Sequence, residues 1–270
     1  LDIKFIFTSN PEDYTNRGTI VTPLKDRIGS QILTHYPESV EIAKKITEQE
    51  SKINSKIMSQ IHIPEIARDI IEQISFEARE SDLVDSKSGV SARMSITSLQ
   101  NLVSSAERRM IINNEKQTII RMSDFNSVIS SINGKVELVY EGEEEGAEQV
   151  SYNLISDAIK SLFNKYFPKI EKLSKPDEVS PYDSILEWFT QKQLIINDNL
   201  KNEEYEELLL EVKDASLLLD NYLPELDEND KFFFIEFILW GLEGFNKLSI
   251  LRTNNGIEFK DPFNNFINKI

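Results

Sequence analysis

Between Ser39 and Asn133 the apolar residues recur three and four positions apart, a spacing that only a helix turns into one continuous face. Ile42, Ile46, Ile53 and Ile57 predict one apolar stripe of a long amphipathic helix. Pro64 stands where the first turn of the next helix begins, and gives Ile66, Ile70, Ile71 and Ile74 a common face. After a polar loop from Ser81 to Gly89, Val90 to about Asn113 reads as a helix carrying Ile96, Leu99, Leu102 and Val103 inward. Ser123-Asp124 offers an N-cap for Phe125 to Ile132. Residues 38–135 therefore predict a small helical domain.

The flanking segments differ. Leu1 to Thr8 has the composition of a buried strand ended by Ser9-Asn10-Pro11, and Gln31 to Tyr36 reads as a second strand that stops at Pro37. Two strands make no stable sheet by themselves. The chain opens at Leu1 without an initiator Met or signal-peptide pattern, so the expectation is a piece of a longer protein. Beyond the turn at Asn133-Gly134-Lys135 comes a possible strand, Val136 to Tyr140, then the acidic Glu141 to Gly146. Helices are expected at about 148–166, 181–194, 202–221, 229–250 and 260–269, separated by Pro168, Pro176, Pro181 and Pro224. The expected class is mainly α: two strands in 1–37, a helical domain in 38–135 and an acidic helical extension in 136–270.

Charge sharpens that division. Of the formal net charge of −16, residues 1–135 carry −1 and residues 136–270 carry −15. Such a surface does not neutralise a phosphate backbone, which argues against direct nucleic-acid binding. With no cysteine there is no thiolate nucleophile and no Cys-ligated metal, a composition that suits a reducing, cytoplasmic setting. His35 and His62 lie far apart without ligand spacing, so no metal site is expected. The longest apolar run, Phe232 to Trp240, is short for a membrane helix and is interrupted by Glu236. The nine glycines include no phosphate-cradling G-x-x-x-x-G-K-[ST].

Three segments in fixed order carry the chemistry. Phe5-Ile6-Phe7-Thr8-Ser9-Asn10-Pro11 is an apolar strand that delivers a polar side chain at its end; Leu24-Lys25-Asp26-Arg27 precedes the next strand; Ser88-Gly89-Val90-Ser91-Ala92-Arg93 opens a helix. In these motifs the chain resembles the AAA+ ATPases, in the branch of the magnesium-chelatase ATPase subunit and the MoxR-like proteins. Asn10 to Gly18 and Thr34-His35-Tyr36-Pro37 are similar to magnesium-chelatase-like proteins within it. The resemblance covers roughly residues 1–135. It implies that residues 1–37 are the end of an α/β AAA+ core and that 38–135 are the helical lid.

It also implies roles. Asn10 matches sensor 1, whose amide orients the attacking water and reads the γ-phosphate. Arg27 matches the arginine finger, lent in trans to the neighbouring subunit's nucleotide, and Arg93 matches sensor 2 in the lid. Asn10 and Arg93 would then touch nucleotide. The plainer alternatives are a strand-turn cap for Asn10, a surface arginine paired to Asp26 for Arg27, and a helix-terminal arginine for Arg93. A cation at a helix N-terminus opposes the dipole and needs some other reason to be there. The resemblance further implies ATP and Mg2+ in the intact parent protein, none held by this fragment alone, since the Walker A and Walker B segments would lie before Leu1. The implied partners are neighbouring subunits of a homo-oligomeric ring and a von Willebrand factor A-type protein. The implied work is protein remodelling or assisted metal insertion, the fragment itself being inactive. The rival from another class is a non-catalytic helical adaptor that binds proteins through its acidic half. In that half, Phe232, Phe233, Phe237 and Trp240 repeat at helical spacing and read as core, with a groove for a partner helix as the alternative.

Overall fold

The computed structural model describes residues 3–8, 23, 26–86, 88–170, 180–253 and 255–262. The described chain is mainly helical. Helix α1 (Val40–Glu50) starts at Ser39, whose hydroxyl accepts the Ile42 N–H at 3.3 Å. A short α2 (Ser55–Met58) leads to β1 (Ile61–His62), which pairs in parallel with β2 (Thr118–Ile119). Between those strands run α3 (Glu65–Glu80) and α4 (Arg93–Ile112), with Ile66, Ile70, Ile71, Ile74, Leu99, Leu102 and Val103 buried as the spacing predicts. A 3-10 segment (Met122–Val128) and α5 (Ile129–Asn133) close this part.

The face of α1 corrects one expectation. Ala43 and Thr47 point inward, whereas Ile42 and Ile46 are 46% and 40% exposed. Polar anchors set the rotation: Lys44 pairs with Glu65 at 2.5 Å and Asp69 at 2.6 Å on α3, and Thr47 Oγ1 donates to the buried Glu72 at 2.5 Å. Those bonds outrank the period because two buried oxygens of Glu72 need donors. The helix also ends at Glu50, so Ile53 and Ile57 reach the core from outside it.

The second half comprises α6 (Tyr140–Glu145), α7 (Ala147–Tyr166), α8 (Asp183–Gln191), β3 (Leu194–Asn197), α9 (Asn202–Leu210), α10 (Ala215–Tyr222), α11 (Lys231–Gly244), β4 (Ser249–Thr253) and β5 (Gly256–Lys260). It is not purely helical. β3, β5 and β4 form an antiparallel sheet in that order, with Ile196 opposite Ile257 and Ile250 opposite Phe259. The helix expected over 202–221 is two, separated where Asp214 turns left-handed (φ 60), and the one expected to reach 250 stops before Asn246 (φ 58). The strand expected at 136–140 is reduced to one bridge, Val84 to Leu138. The helix expected at 260–269 falls mostly outside the described residues.

One apolar cluster runs from Ile61 to Phe259, with members on both sides of residue 135. Helix α7 is the shared wall, packing on α3 on one side and α11 on the other. Helix α11 is buried along its length, Phe233 to Leu242, which makes its aromatic stripe core rather than a groove for a partner. Phe163 of α7 meets Phe167, Tyr182, Phe237 and Phe245 with ring centroids 5.0 to 5.9 Å apart. The approach is so close that a Cβ at Gly241 would lie 2.2 Å from Phe163 Cδ2. Gly241→Ala is expected to lose about 1–3 kcal/mol, the usual cost of overpacking, read as a lower urea midpoint with unchanged slope.

Residues 3–8 and 31–37 form no strand, which corrects the two-strand expectation for the described part of 1–37. Phe5, Ile6, Ile32 and Leu33 are 65% or more exposed, as follows when no described strand offers them a ladder. No helix among the described residues is long and apolar enough to cross a membrane.

Candidate functional site

The turn that opens α4 lines a cleft of about 500 Å³. Its walls are Ser88 to Ala92 on one side and Asn133 to Glu137 on the other, with Tyr36 at the edge. Gly89 adopts φ 69, a left-handed conformation that costs glycine nothing and turns the chain into the helix. The Val90 N–H donates to Tyr36 Oη at 3.0 Å, which ties residue 36 to this turn. Below Tyr36 the Arg79 guanidinium stacks 4.2 Å from its ring centroid and 5.0 Å from that of Phe76. Burial pushes the Arg79 pKa down, and its Nε is enclosed without a hydrogen-bond partner. The Ser88 hydroxyl bonds to the Glu137 carboxylate, clasping the two walls.

Arg93 is the first residue of α4, one position past the lining turn, and it is exposed. Among the described residues its guanidinium has no hydrogen-bond or ion-pair partner, while its backbone N–H is held by Ser91 Oγ at 3.2 Å. A guanidinium beside the amide end of a 20-residue helix can meet an anionic group. Arg27 is also exposed; its Nη1 donates to the Pro23 carbonyl at 3.0 Å, and no ion pair joins it to Asp26. No described hydrogen bond or ion pair connects Arg27 with Arg93. Asn10 lies outside the described residues. No group of three His, Cys, Asp or Glu side chains among the described residues is placed to hold a metal.

No family model, curated protein or solved structure matches this chain.

A second constellation escaped the sequence reading. Arg109 of α4 pairs with Asp124 of the 3-10 segment at 2.5 Å, both almost fully buried, and its Nη2 donates to the Ile119 carbonyl at 2.6 Å. Asp124 also accepts from the Arg121 backbone N–H at 2.8 Å and Ser105 Oγ at 2.9 Å. Arg121, fully buried, lies over the Tyr205 ring at 4.1 Å and donates from Nη2 to Asn202 Oδ1 at 3.1 Å; its Nε and Nη1 have no partner. Desolvation, with repulsion from Arg109, lowers its pKa to about 10. Opposite stands Glu236 of α11, wholly enclosed, which accepts from Tyr205 Oη at 2.6 Å, the Met122 N–H at 3.0 Å and Trp240 Nε1 at 3.4 Å. Desolvation raises its pKa to about 7 against those donors and Arg121. The visible signal was Glu236 itself, a lone charge inside an aromatic run.

Proposed function

We propose that the chain is the C-terminal part of a magnesium-chelatase-like AAA+ ATPase that couples ATP hydrolysis to protein remodelling or assisted metal insertion. The observation that carries the reading is Arg93: exposed, without a side-chain partner among the described residues, and first in a long helix whose preceding turn, Ser88 to Ala92, lines a cleft. A guanidinium left free there against the helix dipole is what a sensor-2 residue requires. The helical body of α1, α3, α4 and α5 supports the lid assignment, and the exposed Phe5, Ile6, Ile32 and Leu33 suit apolar segments that a larger assembly would cover. Arg27, exposed and without an acidic partner among the described residues, would reach a neighbouring subunit's nucleotide in a ring.

In this reading Arg93 neutralises phosphate charge from the lid side, Arg27 stabilises charge on the transferred phosphoryl group, and Asn10 orients water. By the same resemblance, ATP and Mg2+ would be gripped by Walker A and Walker B segments of the intact parent protein. Residues 1–270 alone are expected to turn over no ATP. The direct test is nucleotide binding by the longer chain, followed with a fluorescent ATP analogue. Arg93→Ala is expected to weaken it roughly 10- to 100-fold, the worth of a hydrogen bond to a charged group. Unchanged affinity, or a reading frame that begins at Leu1 with no phosphate loop ahead of it, would move the protein-binding adaptor to the front.

A further inference from the structure

We propose that Glu236 is a proton-operated latch that governs how tightly α11 holds the 3-10 segment Met122–Val128 and α9. The inference is independent of the ATPase reading. It begins with geometry: one enclosed carboxyl gathers donors from three elements, the Met122 N–H of the 3-10 segment, the Tyr205 hydroxyl of α9 and the Trp240 indole of its own helix. Facing it are Arg121, which caps the 3-10 segment, Asp124 within that segment, Arg109 from α4 and Tyr205 from α9. Farther out, Glu206 and Asp198 feel these same charges, and Arg252 of β4 lies 5.8 Å from the Trp240 ring. On the other side α7 offers only rings to Phe237.

Two protonation states can both be hydrogen-bonded here. Ionised, Glu236 accepts all three donors and balances Arg121, since Arg109 is matched by Asp124. Protonated, it can donate through Oε2 to Tyr205 Oη, whose own hydrogen turns to the Phe232 carbonyl 3.5 Å away; the proton comes from solvent and no other bond changes. The cost of holding a bare carboxylate away from water decides between them, and it outweighs three hydrogen bonds and one guanidinium. The sign follows. A folded pKa raised to about 7 from the ordinary 4.5 means that the closed seam binds the proton more tightly than the open chain does. Its stabilising contribution is complete below the ordinary value and is lost as pH rises through about 7. Acid closes the latch, and alkali loosens it.

Trp240 is a built-in reporter, because a charge appears or vanishes 3.4 Å from its indole nitrogen and the chain has only one other tryptophan, Trp188. In a Trp188→Phe background, emission titrated from pH 5.5 to 8.5 is expected to shift with a midpoint near 7 and to lose that transition in Glu236→Gln. The unfolding equilibrium constant is expected to rise on the order of 10²-fold between pH 5 and 8 relative to Glu236→Gln. Should Glu236→Gln fail to fold, Tyr205→Phe removes the charge-assisted bond to the carboxylate, which is stronger than the neutral bond of the protonated form that it also removes, and must move the midpoint upward. A flat titration in the folded protein, a transition that survives Glu236→Gln, or a midpoint unmoved by Tyr205→Phe would overturn the latch.

Discussion

Arg27→Ala in the longer chain is expected to lower steady-state ATP turnover on the order of 10³-fold while leaving nucleotide affinity nearly unchanged. The split follows from what a finger does: it meets charge that develops on the phosphoryl group and contributes little to the ground state. Among the described residues Arg27 makes one side-chain hydrogen bond, to the Pro23 carbonyl, a contact that it can exchange for a phosphate at little cost. Arg27→Lys should recover only part of the loss, because an ammonium lacks the two-pronged geometry of a guanidinium. Mixing the variant with a subunit that cannot bind nucleotide tests the trans action. If turnover is unchanged across concentrations that span ring assembly, the finger role is wrong.

Asp124→Ala is expected to be the most damaging single change in the described core, costing about 3–5 kcal/mol. It would leave Arg109, 2% exposed, without its ion-pair carboxylate beside the equally enclosed Arg121, and would strip an acceptor from Ser105 and from the Arg121 amide. The loss should appear in urea denaturation as a lower midpoint. Removing both charges, as Arg109→Leu with Asp124→Leu, is expected to cost less than the sum of the single changes, since neither leaves the other stranded. Full additivity would mean that the 2.5 Å contact carries no coupling.

The long helices were legible because their period survives any packing arrangement. Ile66 to Ile74 of α3 and Leu99 to Val103 of α4 bury the face that spacing assigns them. Helix α1 was legible as a helix and misread in rotation, since Lys44 and Thr47 carry bonds that no hydrophobic period encodes. The sheet was missed for a different reason. Leu194 to Asn197 offers four residues, too few to separate a strand from a helix end, although Asn255-Gly256 between Ser249–Thr253 and Gly256–Lys260 was a turn signal in plain view. At the candidate site, Arg93 and the Ser88–Ala92 turn were readable as a motif, whereas Tyr36 and Arg79 join them only through folding. The Glu236 seam unites residues more than a hundred positions apart, as Met122 and Glu236 are, and no local pattern announces it.

The position of α7 has a consequence for how the protein gains and loses its structure. Because that helix is the common wall between α3, some eighty residues earlier, and α11, some eighty later, neither half can complete its interior before the other arrives. Folding must wait for contacts that close long loops, so the transition should be slow and all-or-none rather than stepwise along the chain. A cut at residue 135 is therefore expected to bare apolar surface on both pieces, the side of α3 that α7 covers on one and the matching side of α7 on the other.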